Sequence, residues 1–538
     1  MKSEKRTNSI AGLLLLAIAA GGAGAQLRPD EVLVVYDSRI ADSLAVAEYY
    51  AGSAKVPGGA GGLPGVRPGV RVMNLNGLAA VTTPGDIEYG QFAPRLRDPI
   101  RGYLTTNGLS KRVRCLVLTK GLPHRVRDSD NPTVGDFPGN VGGELVANDM
   151  TCASVESELA LLWQDLTTGE AGGSSDSKSD GCIINPYWKA SQPISTFTNV
   201  NNEVAKSFTA VGTGPLWNTS GTVTSPTRLS AGDIYLVCRL DGRTVQDVRG
   251  MIDRAQGVVV NTRTTTLILD ESDSNGITDI NGNGEFDNVN STFSSLWDSD
   301  DYERTRDVMI ADNRWAAAMI RYNALSPFNQ FFVGPRIEWM AGTMAPVTDP
   351  VILLAHYGLN HTGQPLTTAS VRGGEVYPLG FHYAPGAVFN SLESFNCRDF
   401  GGLGTLSFAR QGQAADFIQA GGTFAVGNVW EPLADTVPDN RYLAQNFLLG
   451  NLSWAEAAWS AVPALSWMQI VIGDPLARMD RSSEDITGDG RITIADLYAW
   501  ESTPADINGS GAADAADRAI LLRALRAAER SALLQPRH

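Results

Sequence analysis

Residues 32–51 read VLVVYDSRIADSLAVAEYYA. Val32 to Tyr36 is a short apolar run, rich in valine, of the kind that forms a fully buried strand, and Asp37-Ser38 ends it. From about Ser43, the residues Leu44, Ala47 and Ala51 fall on one face of a helix. A buried strand feeding a helix is the opening unit of an α/β domain. Downstream the alternation continues. Val70–Leu75, Val113–Thr119, Ile234–Cys238 and Thr266–Leu269 read as strands. Between them lie helical stretches at Asp98–Thr106 (Asp98 as N-cap, Pro99 at the first helical position), Ser154–Trp163 and Thr244–Ala255. Strands alternating with helices predict a mostly parallel sheet flanked by helices. Gly58 to Gly62 lies in a Gly/Pro loop with no strand and helix placed to make it a phosphate cradle.

The second half repeats the theme. Val351–Ala355 (VILLA) is a strand ending at His356, and Ala387–Phe395 is one ending near Cys397. Ala414–Ala420 is a helix, Thr423–Val429 a strand, and a Trp-rich helical stretch holds Trp454, Trp459 and Trp467. Ile470–Ile472 then leads into Gly473-Asp474-Pro475. The pattern fits one large or two related α/β domains. It divides into an N-terminal α/β region at 26–269, an Asp/Asn/Gly-rich insert at 270–290 and a C-terminal α/β region at 291–479.

The chain begins with Lys2, Lys5 and Arg6, an apolar run from Ile10 to Ala20 and a small-x-small site at Ala23-Gly24-Ala25. That is the pattern of a secretory signal over 1–25, too short to span a bilayer. It predicts an exported protein, extracellular or at the cell surface (or periplasmic). The net charge of −15, about −17 once the signal is removed, argues against nucleic acid as a partner. Five cysteines in an oxidising compartment allow at most two disulfides. Cys152 and Cys182 flank a Gly/Ser/Asp-rich insert and form the expected pair.

Near the C-terminus stand DITGDGRITIAD (Asp485–Asp496) and, nine residues later, DINGSGAADAAD (Asp506–Asp517). Each is a twelve-residue loop with oxygen-bearing side chains at positions 1, 3, 5, 9 and 12 and glycine at 6. Calcium takes six to eight hard oxygen ligands, and the glycine permits the sharp bend. The expected donors are Asp485, Thr487, Asp489, Thr493 and Asp496 in the first loop, with the Arg491 carbonyl at position 7. In the second they are Asp506, Asn508, Ser510, Asp514 and Asp517, with the Ala512 carbonyl. Both loops end in aspartate where the general EF-hand pattern has glutamate. The paired loops therefore resemble a type I dockerin, over roughly 480–530. That resemblance implies a small all-α module, two bound calcium ions and a cohesin-like protein partner. In that family recognition uses loop positions 10 and 11, here Ile494 and Ala495, then Ala515 and Ala516. A third loop, DINGNGEFDNVN, places Asp279, Asn281, Asn283, Glu285 (by its carbonyl) and Asp287 at the same spacing, with Asn290 at position 12.

The long region, through RCLVLTKGLPHRV, ASVESELALL, AGGTFAVGNVWEP and IVIGDPL, resembles an uncharacterised secreted bacterial family, which implies a fold and export but no function. Its second half is weakly similar to gingipain-type cysteine peptidases, in which one strand ends in histidine and a later one in cysteine. That similarity makes His356 and Cys397 the candidate catalytic pair, since a thiol needs a neighbouring base to ionise usefully. Here Tyr357 follows the histidine where the peptidases have glycine, and Asn396 and Arg398 flank the cysteine. Asp37, His124, Glu393 and Glu431 fall near strand ends and are further candidates for the same cleft. His361 and His382 lack metal-ligand spacing. Two functional classes remain. One is a non-catalytic extracellular domain carried by a calcium-dependent docking module. The other is a hydrolase, either a His/Cys peptidase or, by association with dockerins, a polysaccharide-degrading enzyme.

Overall fold

The computed structural model describes residues 26–59, 61–78, 85–127, 153–163, 183–197, 232–271, 301–312, 314–323, 332–336, 347–357, 373–392, 395–400, 413–430, 432, 437–450, 452–482, 484, 486–487, 492–507 and 512–534. Its centre is one ten-stranded sheet. In chain order the strands are β1 (Val32–Tyr36), β2 (Arg71–Asn74), β3 (Cys115–Thr119), β4 (Leu236–Leu240) and β5 (Thr266–Glu271). They continue as β6 (Ile320–Asn323), β7 (Val351–Tyr357), β8 (Tyr383–Ser391), β9 (Phe424–Asn428) and β10 (Gln469–Ile472). Across the sheet they run β6-β5-β7-β8-β9-β10-β4-β3-β1-β2. Every neighbouring pair is parallel except β9 and β10.

The single antiparallel junction divides the sheet into two parallel halves of five strands pointing opposite ways. Their internal orders, 2-1-3-4-10 and 6-5-7-8-9, are the same doubly wound order written twice. Local chemistry repeats as well. Asp37 follows β1, and its Oδ2 accepts the N–H groups of Gly77 and Leu78, just past β2. Asp270 is the last residue but one of β5, and its Oδ2 accepts the N–H of Phe332, past β6. An asparagine closes the second strand of each half. Asn74 accepts the Ser38 N–H at 3.0 Å, and Asn323 donates to Asp270 Oδ1 at 2.8 Å. Two five-stranded units of the same strand order thus share one sheet.

The central strands are buried on both faces. On one face Phe424 packs against Trp454 and Phe447. On the other Phe389 and Tyr383 pack against Phe417, on the helix Gln413–Gln419. The seam between β10 and β4 is held by a single register pair, Ile472 with Arg239. The Val237 carbonyl there is satisfied by the Trp459 indole N–H at 3.0 Å, so the buried backbone acceptor is not orphaned. Asp474 of the Gly-Asp-Pro turn is a buried clamp. It takes the Tyr50 hydroxyl (2.6 Å), Arg67 Nε (2.8 Å), Gln256 Nε2 (2.9 Å) and the Leu476 N–H.

Two helix and strand expectations are corrected. Asp98 is not an N-cap, because the helix already starts at Tyr89 and runs through a widened π-turn over Ala93–Arg97 into Asp98–Thr106. Pro99 has no N–H to give the ladder, and the wider turn, with Asp98 N–H reaching Ala93 O, lets the chain continue past it. The strand expected over 387–395 begins at Tyr383 and ends at Ser391, six residues before Cys397.

After the sheet the chain forms Met479–Ser482, a strand paired in parallel with Val258–Asn261. Two helices follow, Ile494–Ser502 and Ala515–Leu534. They share a small core of their own, with Leu497, Trp500, Ile507, Leu521 and Leu525. Among the described residues no helix is long and apolar enough to cross a membrane.

Candidate functional site

In a doubly wound sheet, ligands gather beyond the carboxyl ends of the strands, where the order reverses. The second half has that point between β5 and β7. There the ladders align Asp270 with His356, and His356 with Ser391 on β8. Partners across a parallel ladder project to the same face, about 4.8 Å apart. Contacts agree with that shared face. The His356 ring meets the Tyr377 ring edge-on at 5.0 Å and tilts over Phe389 at 5.7 Å. The Tyr377 hydroxyl reaches Asp270 Oδ2 at 3.1 Å, and the Tyr302 hydroxyl donates to the His356 carbonyl at 2.7 Å. Asp270, His356 and Ser391 are all fully buried (0 %).

Cys397 stands elsewhere on this face. Its N–H donates to Asn428 O at 3.0 Å, and a Cβ on Gly427 would come within 2.5 Å of its sulfur. The thiol therefore sits over Gly427 of β9. Continuing the ladder from Phe389–Ala425 aligns Gly427 with Ser391. His356 and Cys397 are thus seated two strands apart, roughly 10 Å by strand spacing, with Ser391 on the strand between. Burial, then the nearby Glu156, pushes the thiol well above its ordinary range. A resting thiol so placed is neutral, and a general base acts from about 3 Å.

Cys397 instead belongs to a polar cluster at the seam between the halves. His124 Nε2 meets the Arg398 carbonyl at 2.8 Å, and Arg125 Nη1 donates to the same oxygen. A carbonyl only accepts, so His124 carries its proton on Nε2. Burial and then Arg125 hold it well below the usual imidazole range, hence neutral. Arg398 lies over the Trp430 ring at 4.8 Å and Arg125 over it at 5.3 Å. Deeper, Arg239 on β4 bonds Glu156 and Asp241, together with the carbonyls of Leu122 and Pro123. Lys120 reaches Asp241 and the Gly242 carbonyl. Burial raises the Glu156 carboxyl, against the pull of Arg239. Sequence reasoning found His124 and missed Arg239, Glu156 and Asp241. The visible signal was an arginine inside an otherwise apolar strand, LVCRL.

Asp37 is a structural clamp. Burial alone would raise its carboxyl, but the N–H groups of Arg39, Leu78 and Gly77 outweigh it and hold it below its ordinary value. His382 is exposed, and its carbonyl accepts from Val351 N–H. Glu393, Glu431, His361, Cys152, Cys182 and the loop 279–290 lie outside the described residues. Cys115, Cys238 and Cys397 are free, buried thiols.

In the C-terminal loops, Asp485, Asp489, Arg491, Asn508 and Ser510 also lie outside the described residues. The described donors converge. Asp496 Oδ1 accepts from Thr487 N (3.0 Å) and Thr487 Oγ1 (2.9 Å), and its Oδ2 from Thr493 N (2.7 Å). In the second loop Asp517 accepts from Ile507 N (2.8 Å) and Asp514 N (2.7 Å). Positions 3, 9 and 12 of loop one are thus drawn together as oxygen donors, a hard set that fits calcium better than a soft metal. Among the described residues no three His, Cys, Asp or Glu side chains cluster as a metal group. Comparison with known proteins finds no family model, no curated protein and no solved structure that matches the chain.

Proposed function

We propose that this is an exported protein whose α/β sheet is carried by a calcium-binding docking module of dockerin type, for assembly with a cohesin-like partner outside the cytoplasm. The observation that carries the reading is the same arrangement made twice. In each loop the position-12 aspartate folds back and accepts the position-9 N–H on its Oδ2 at 2.7 Å. The position-2 isoleucines, Ile486 and Ile507, both meet the one small core beneath. When bound, calcium supplies charge to hold these acceptor-rich loops closed. This chain's part is to present Asp485, Thr487, Asp489, Thr493 and Asp496, and Asp506, Asn508, Ser510, Asp514 and Asp517, with the carbonyls of Arg491 and Ala512. A core of about five buried side chains is thin, so ligation supplies much of the module's stability. Ile494 and Tyr498 are exposed (56 % and 64 %) on the first helix, an apolar surface that supports a protein partner.

Hydrogen exchange of the full chain tests this. With calcium, amides of 494–502 and 515–526 are protected. With EGTA they exchange freely, while β1, β3 and β4 keep their protection. Equal protection of the two helices with and without chelator overturns the reading. N-terminal sequencing of the exported protein, beginning at Gln26, checks the leader.

A further inference from the structure

We propose that the helix Ala515–Leu534 is docked on the α/β domain as a brace, and that calcium, by keeping that helix folded, keeps the domain's outer strand pair closed. The trigger rests on the calcium reading above; the docking does not. No linker separates the two parts. The strand Met479–Ser482 ends just before the first calcium loop, which opens at Asp485. It pairs with Val258–Asn261 in a sheet of only two strands. Two strands alone are marginal in water and need a helix or a core packed against them.

This pair has a core on one face and the helix on the other. Register sets Met479 and Arg481 beside Val258 and Val260 on the inner face. Met479, Val258 and Val260 are buried in the main core. Arg481 Nη1 donates to the carbonyls of Leu448 (2.8 Å) and Gly450 (3.1 Å). Val259 and Asp480 alternate with these and face outward. The helix Ala515–Leu534 lies against both strands, and its Arg523 meets Asp480 at 3.6 Å. An ion pair as exposed as that one contributes little by itself. Closure therefore depends on the helix staying folded.

The pair is wired into the second half of the sheet. Val258 fills the space that a Cβ on Gly386 of β8 would need. The Asn261 carbonyl accepts the N–H (3.1 Å) and the hydroxyl (2.7 Å) of Thr265, in the turn that enters β5. Whatever loosens the pair loosens the seat of β8 and the entry to β5.

One group opposes closure. Glu484 is fully buried, and neither of its carboxylate oxygens has a hydrogen-bond partner. Asp480 and Arg523 are the charged groups that act on it, so it lies near the junction of strand and helix. A buried polar group left unsatisfied destabilises the arrangement that buries it. The closed form is thus held by a folded helix and opposed by a sealed carboxylate, which makes it reversible.

The test is hydrogen exchange of the full chain, read at 258–261 and 479–482. With EGTA, exchange in both strands rises about tenfold or more, together with that of 515–526, while β1 and β3 keep their protection. Arg523→Glu places a third carboxylate near Asp480 and Glu484 and touches no calcium donor. It frees the pair to a similar degree with calcium present, while 494–502 stays protected. Glu484→Leu removes the sealed carboxylate, and exchange of the pair slows by about tenfold. A pair that stays protected when EGTA frees 515–526, that is indifferent to Arg523→Glu, or that exchanges faster in Glu484→Leu overturns the proposal. Should EGTA free neither the helix nor the pair, calcium is not the trigger, and Arg523→Glu alone decides the docking.

Discussion

Replacing Arg239 by methionine tests the buried polar network of the first half, beside the seam of β4 and β10. Arg239 is fully buried, and its donors go to Glu156, Asp241 and the carbonyls of Leu122 and Pro123. Methionine fills much of the volume and supplies none of these bonds. The Glu156 carboxylate, also fully buried, is left without its cation. Breaking a buried pair on one side costs about 3–5 kcal/mol. The loss of donors to two buried carbonyls places Arg239→Met toward the upper end of that range. The cost depends on pH. Glu156 already titrates above its ordinary 4.5 through burial, and losing Arg239 raises it further. The folded state then binds a proton that the unfolded state has released. Stability therefore falls as pH rises from about 4.5 through the raised value, and is flat above it. The assay is urea unfolding followed by tryptophan fluorescence at pH 5 and pH 8, for Arg239→Met, Glu156→Gln and the double variant. The double variant loses less than the sum of the singles, and its extra pH dependence disappears. A cost for Arg239→Met below about 1 kcal/mol, the same cost at both pH values, or strict additivity would refute this account of the network.

Cys397 in the native protein resists iodoacetamide up to about pH 8.5 and reacts once urea unfolds the chain, because burial keeps the thiol protonated and covered. Fast native alkylation at pH 7 that His356→Gln abolishes would restore the His/Cys pairing. Asp474→Asn leaves Arg67 and Tyr50 short of an acceptor and costs about 1.5–3 kcal/mol, read by the same unfolding assay. A loss within a few tenths of a kcal/mol would mean that the clamp is dispensable.

Much of the sheet was legible because parallel strands buried on both faces must be apolar runs. Val32–Tyr36 was read to the residue, and Cys115–Thr119 and Phe424–Asn428 within two. Caps were legible for a related reason, since they are local. Ser154 accepts from Ser157 N–H, and Thr244 with Asp247 forms a capping box. Strands β6 and Val258–Asn261, at edges and half exposed, were missed because IRYN carries little apolar signal and the apolar run VVV is too short to mark a strand by itself. Direction was illegible. Nothing in Phe424–Asn428 or Gln469–Ile472 announces that they pair antiparallel. That one junction reverses the second half against the first. The site was half legible for the same cause. His356 ends a strand that could be read, but which serine or cysteine stands beside it depends on register. Register set Ser391 next to His356 and Cys397 a strand further on.

The sheet's strand order also bears on how the chain comes to be folded. The first half holds β1 to β4 and then waits. All five strands of the second half are made before β10 arrives to cover the open side of β4. The bond from Tyr50 to Asp474 spans 424 residues of chain. Closing such distant pairings is slow, and a strand edge left uncovered meanwhile is exposed to wrong partners. The unit that is synthesised first is therefore among the last to be completed. A fragment ending anywhere before Gln469 is not a smaller version of this protein but a sheet lacking its central strand.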